Sequence, residues 1–132
     1  MNSLRQSGLE VIKRVLGATY FEKREKSLSP FNSELRALTE EYCFGAIWTR
    51  PGLPPKTRSM ILLGMLTALG KTTELKMHVI GALNNGCTVE EIKEVLLQAT
   101  VYCGVPAGVD AFRNAEQALT EAGQAPVENA AA

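Results

Sequence analysis

The chain has 132 residues, of which 45% are apolar, and 14 lysines and arginines balance 14 aspartates and glutamates. This profile fits a soluble globular protein with a modest core, and a net charge of zero without a basic cluster argues against nucleic acid as a main partner. The most apolar run, Met60 to Leu69, reaches at most about half of the roughly 20 residues that a membrane-spanning helix needs.

Helical periodicity dominates, and no alternating strand pattern stands out. Leu4, Val11, Ile12 and Val15 mark a first helix that stops near Gly17. This N-terminal stretch reads as a helix rather than a signal peptide. The charged segment FEKREKS is expected on the surface. Ser29-Pro30 then opens a helix with Phe31, Leu35, Leu38 and Tyr42 on one face, ending around Gly45. Pro51-Gly52 and Pro54-Pro55 make a turn-rich connection.

Residues 57–69 resume as a helix that is apolar on nearly every side, which places it centrally in a domain or an assembly. Thr72 or Thr73 is expected to cap the next helix, whose buried stripe is Leu75, Val79, Ala82 and Leu83. Asn85-Gly86 ends it, and Thr88 to Glu91 reads as a capping box for a helix with Ile92, Val95, Leu96, Ala99 and Cys103 inward. These two helices form a hairpin. A last helix runs from about 107 to 121. The expected organisation is one all-α domain over 1–122, a small bundle with a mobile polar tail over 123–132. The chain is short for so apolar a central helix, which predicts an oligomer.

Cys43, Cys87 and Cys103 are widely spaced and odd in number, the pattern of reduced cytosolic thiols rather than a disulfide framework. No cluster has metal-ligand spacing. Cys103 has no activating neighbour in sequence, and with Tyr42 and Tyr102 it reads as core or rim.

His78, the sole histidine, borders the buried stripe, with Glu74 one turn before it. It is either a structural residue at the core's edge or a proton donor or acceptor near neutral pH. Trp48 and Arg50 lie on the turn-rich connection, where functional groups often sit. Arg50 offers a fork of donors to a carboxylate; the alternative is an anchoring aromatic beside a solvated arginine. Arg58, at the mouth of the apolar helix, is a second and weaker anion-binding candidate.

The stretches YCFGAIWTRPGLPPKTRS and ELKMHVIGALNNGCTVEEIKEVLLQATVYCGVPAGVDAFRNAE resemble the carboxymuconolactone decarboxylase family, over roughly Phe31 to Leu119. The thiol pattern places the chain in the cytoplasm, and the resemblance implies an alkylhydroperoxidase-like helical fold, assembled as a homotrimer or homohexamer. It further implies decarboxylation of 4-carboxymuconolactone to 3-oxoadipate enol-lactone in aromatic catabolism. Peroxidases of the same superfamily carry Cys-x-x-Cys-x-x-x-His, and His78 fits that frame. The cysteine positions fall on Lys71 and Glu74, so thiol peroxidase chemistry is disfavoured. Family members usually have tryptophan at the position of Phe44 and an acid at that of Ala46. A homologue without decarboxylase activity, handling another small acid, is the alternative that Ala46 keeps open.

The implied substrate supplies its own electron sink, because the leaving carboxylate is conjugated through a double bond to the lactone carbonyl. No organic cofactor or metal is then required. In this reading Arg50, with Trp48 and Arg58, holds the small anionic lactone. His78 serves the oxyanion or returns the proton, and Glu74 orients His78 or acts as the acid.

Overall fold

The computed structural model describes residues 3–124. Every regular element among them is helical. The chain divides into two compact units that meet in sequence between Arg58 and Ser59.

In the first unit, α1 spans Leu4–Leu16. The Ser3 hydroxyl caps it by accepting from the Gln6 amide, and Gly17 ends it at a φ of 93° that suits glycine alone. Val11, Ile12 and Val15 are buried, as the sequence predicts. The charged segment is not a simple surface stretch. It forms α2, Ala18–Lys26, and buries Arg24. Arg24 donates to the Glu40 carboxylate at 2.7 Å, and Arg5 donates to the other oxygen at 2.8 Å. A buried charge is tolerable when it is paired in this way. Burial pushes the Glu40 carboxyl up, but the two guanidiniums outweigh it and hold the carboxyl below its ordinary range.

The expected helix at Ser29-Pro30 starts later. Ser29 and Asn32 exchange side chain–backbone hydrogen bonds in a turn, and α3 runs only from Ser33 to Leu38. The chain then continues as a π-helix, Thr39–Ile47, two residues past the predicted end. Of the Phe31–Tyr42 stripe only Leu35 and Leu38 lie on α3, while Phe31 sits in the turn before it and Tyr42 on the π-helix, whose wider turn departs from the 3.6-residue spacing. Phe31, Leu35, Leu38 and Tyr42 are all exposed on the chain. Gly45 is needed because α1 and the π-helix approach closely: a Cβ there would collide with the Leu4 and Glu40 carbonyls.

The second unit holds most of α4, Pro55–Leu69, which starts two residues before the predicted 57. Leu63 and Leu66 enter the core, while Ile61, Met65 and Leu69 stay exposed. Next come α5, Thr72–Asn84, α6, Val89–Cys103, and α7, Val105–Glu121. α7 packs against both α5 and α6 more extensively than these two hairpin helices pack on each other. Its small Ala111, Ala115 and Ala118 permit that approach. Leu75, Val79 and Ala82 are buried and Leu83 is half-buried, as expected.

Thr88 and Glu91 form the predicted capping box. Neither Thr72 nor Thr73 caps α5: the N-cap position is Lys71, without a side-chain cap bond. Cys103, expected inward, is exposed, as are Tyr42 and Tyr102, because each sits on the outer side of its helix. Gly123 and Gln124, placed in the tail by sequence, bond back to Thr120 and Leu119 at the end of α7. The rest of the expected tail, 125–132, lies outside the described residues. No helix of the described residues is long and apolar enough to cross a membrane.

Candidate active site

Three of the sequence-predicted residues belong to the first unit. Trp48 follows the π-helix directly, and its amide donates to the Cys43 carbonyl at 3.2 Å, a bond spanning five residues. Its ring stacks on Phe44, with centroids 6.0 Å apart and planes at 19°. At 8% exposed it is a fixed wall rather than a mobile aromatic.

The backbone of Arg50 is held at both ends. Its amide donates to the Ile47 carbonyl at 3.0 Å. Its carbonyl accepts from the Arg58 guanidinium at 3.2 Å. One Arg58 nitrogen thereby shapes the loop, while its buried Nε has no hydrogen-bond partner among the described residues. Trp48 and Arg50 meet in one cleft of about 470 Å³ between α1 and the Trp48–Pro55 segment. That volume lies in the range of small-molecule sites. The cleft is also lined by Arg14 and Glu10 from α1. Sequence reasoning missed Arg14, since a basic residue in the last turn of a helix is ordinarily a favourable partner of the helix dipole.

The other two residues lie one turn apart on α5, in the second unit. Glu74 is exposed. His78 is buried, with 8% of its surface exposed. Burial lowers its pKa from 6.5 to about 4, against a smaller raising influence from the Glu74 carboxylate. The expectation of an imidazole titrating near neutrality therefore fails, because desolvation disfavours the cation. At pH 7 His78 is a neutral ring with one N–H to donate and one nitrogen to accept. Such a ring can stabilise an oxyanion by hydrogen bonding without carrying charge itself. Among the described residues no group of three or more His, Cys, Asp or Glu side chains is placed to hold a metal ion.

Residues 33–117 match the model of the carboxymuconolactone decarboxylase family. The 4-carboxymuconolactone decarboxylase of Acinetobacter baylyi is 38% identical over 121 residues, covering 92% of this chain and 90% of that protein. The nitrosuccinic acid decarboxylase npaB of Metarhizium robertsii is 40% identical over 109 residues, covering 83% of this chain and 76% of its own length. On this likeness the chain is a carboxy-lyase. With its all-helical architecture and a match over most of its length, the chain belongs to the carboxymuconolactone decarboxylase family.

Proposed function

We propose that this carboxy-lyase removes CO₂ from 4-carboxymuconolactone, or a related small carboxylated lactone, to give 3-oxoadipate enol-lactone in cytoplasmic aromatic catabolism. The likeness to the Acinetobacter enzyme over nearly the whole chain carries this reading. The cleft holding Trp48 and Arg50 supports an anionic small-molecule substrate. The C–C bond to the leaving carboxylate breaks, and its electron pair passes through the double bond to the lactone carbonyl oxygen. A proton then returns to carbon. The step is redox-neutral, so the substrate's own sink replaces an organic cofactor or metal.

Arg50 is assigned to a substrate carboxylate and Trp48 to the flat face of the ring. The neutral His78 donates to the developing oxyanion, and Glu74 orients His78 or carries the proton. We further assign a homo-oligomer, trimer or hexamer, because Ile61, Met65 and Leu69 on α4 and Phe31, which is 99% exposed, leave apolar surface uncovered on one chain. The second reading, a different small acid as substrate, is favoured by the 40% identity to the nitrosuccinic acid decarboxylase.

Incubating the purified chain with each acid and measuring CO₂ release decides between them. Turnover of the lactone is expected. His78→Ala should lower it by about 10²-fold, the scale for losing a positioned proton-transfer or oxyanion group, and Arg50→Ala should chiefly raise KM. No CO₂ from the lactone removes the first reading, and CO₂ from nitrosuccinate alone establishes the second.

A further inference from the structure

In the first unit, Arg5 and Arg24 are committed to Glu40. Arg14 and Arg50 instead line the cleft walled by Trp48, and no role has yet fallen to Arg14. Glu10, one turn before Arg14 on α1, is the one carboxylate among the residues lining the cleft, which leaves it with a net positive charge. The Trp48–Pro55 segment is restrained by Pro51, Pro54 and Pro55, and by the bonds at both ends of the Arg50 peptide. Two guanidiniums beside a fixed aromatic wall suit a carboxylate that must be held still while something else happens to the molecule.

The two acids named for the relatives share more than a carboxylate. In carboxymuconolactone the ring carbon bearing the leaving carboxylate also bears a CH₂–COO⁻ arm. In nitrosuccinate the nitro-bearing carbon carries one carboxylate and the same CH₂–COO⁻ arm. Both molecules are therefore succinates whose substituted carbon is attached to an electron sink: an unsaturated lactone in one, a nitro group in the other. In both, loss of the carboxylate next to the sink releases CO₂, sends the bonding pair into the sink's oxygens and takes up one proton on carbon. The arm is retained. A lactone ring and a nitro group have little shape in common, so a site serving either is best built around that arm.

We propose that the Arg14–Arg50 cleft recognises the retained CH₂–COO⁻ arm of an activated succinate, and that Arg14 is a specificity-determining residue for this substrate class. The proposal rests on the decarboxylase reading for its choice of ligand, but the binding it asserts can be measured without turnover. Succinate has the arm and the second carboxylate but no sink, so it should bind and not react. Propanoate keeps the arm and should bind too, whereas propanamide, whose arm carries no charge, should bind far more weakly.

The test is calorimetric titration of the full chain with succinate, propanoate and propanamide, alongside succinate inhibition of decarboxylation. Arg14→Ala and Arg50→Ala should each weaken succinate binding about tenfold or more, the scale for losing one charge-assisted contact. Glu10→Gln should tighten it. Arg113→Ala, on α7 beside Asp110, serves as a charge-matched control without effect, and circular dichroism confirms that each variant is folded. Arg14→Lys should recover only part of the affinity, because an ammonium lacks the guanidinium fork. Decarboxylation with unchanged KM in Arg14→Ala, or equal binding of succinate and propanamide, overturns the proposal and leaves the decarboxylase reading standing. Arg14-dependent succinate binding in a chain that decarboxylates neither acid upholds the cleft and removes that reading.

Discussion

The buried imidazole of His78 makes the chain's stability depend on pH in a way that one residue can switch off. Its pKa is about 4 in the fold and about 6.5 in an unfolded chain. Between those values the unfolded chain binds a proton that the folded chain refuses, so stability falls as pH drops from 6.5 towards 4 and is unaffected by His78 above 6.5. Each unit of difference is worth about 1.4 kcal/mol. The full penalty near pH 4 is then about 3 kcal/mol, and about 2 kcal/mol of it is already present at pH 5. Glu40 has the opposite shift. Its stabilising contribution is complete above the ordinary carboxylate pKa and is lost only as pH falls below it, so a comparison of pH 7 with pH 5 isolates His78. Urea unfolding at fixed protein concentration should show a loss of about 2 kcal/mol between those conditions, and His78→Gln should abolish this difference whatever its effect on absolute stability. Because His78 is the sole histidine, its Hε1 proton gives a single NMR resonance, and the titration can be followed directly. A midpoint at pH 6 or above in the folded protein, or an unchanged pH slope in His78→Gln, would refute the argument that burial keeps this ring neutral.

The ion pairs around Glu40 predict a graded response: Glu40→Ala strands the buried Arg24 and should cost about 3–5 kcal/mol, whereas Arg5→Ala, with the Arg5 side chain half exposed, should cost far less. The sole tryptophan, Trp48, gives a fluorescence readout for this unit, and equal losses in the two variants would contradict the assignment. Gly45→Ala should cost more than about 3 kcal/mol because its Cβ meets two backbone carbonyls, whereas Gly64→Ala, with open space around it, should be neutral or gain up to about 1 kcal/mol of helix stability. Light scattering should give a mass several times 14.3 kDa, and a stable monomer at micromolar concentration would remove the oligomer.

Sequence pattern located α5 and α6 well, because each is an ordinary α-helix with a stripe and a recognisable end. Leu75, Val79 and Ala82 repeat at α-helical spacing, Thr88 and Glu91 are three apart, and Gly86 and Gly104 stop their helices at positive φ. These are local signals, and local signals survive in one dimension. The first unit was harder. A π-helix has no propensity signature distinct from an α-helix, so Thr39–Ile47 read as a continuation that should stop at its glycine. In sequence Gly45 reads as a terminator, but its missing side chain instead makes room for α1.

The site shows the same division between local pattern and tertiary cause. That His78 lies at the edge of a buried stripe could be counted off the helix; that desolvation takes its charge away depends on what covers it, which the count does not supply. The arginines make the case more sharply. Arg14 and Arg24 both stand in the last turns of charged helices, and nothing local separates them. Arg24 is consumed by Glu40, whose carboxylate is buried on the π-helix and already holds Arg5. Arg14 shares its surroundings with Trp48 and the restrained Arg50 loop. The π-helix is common to both outcomes: it carries Glu40 at one end and delivers Trp48 directly past the other. An element that sequence periodicity misread therefore decides which arginine holds the fold together and which is left to hold a substrate.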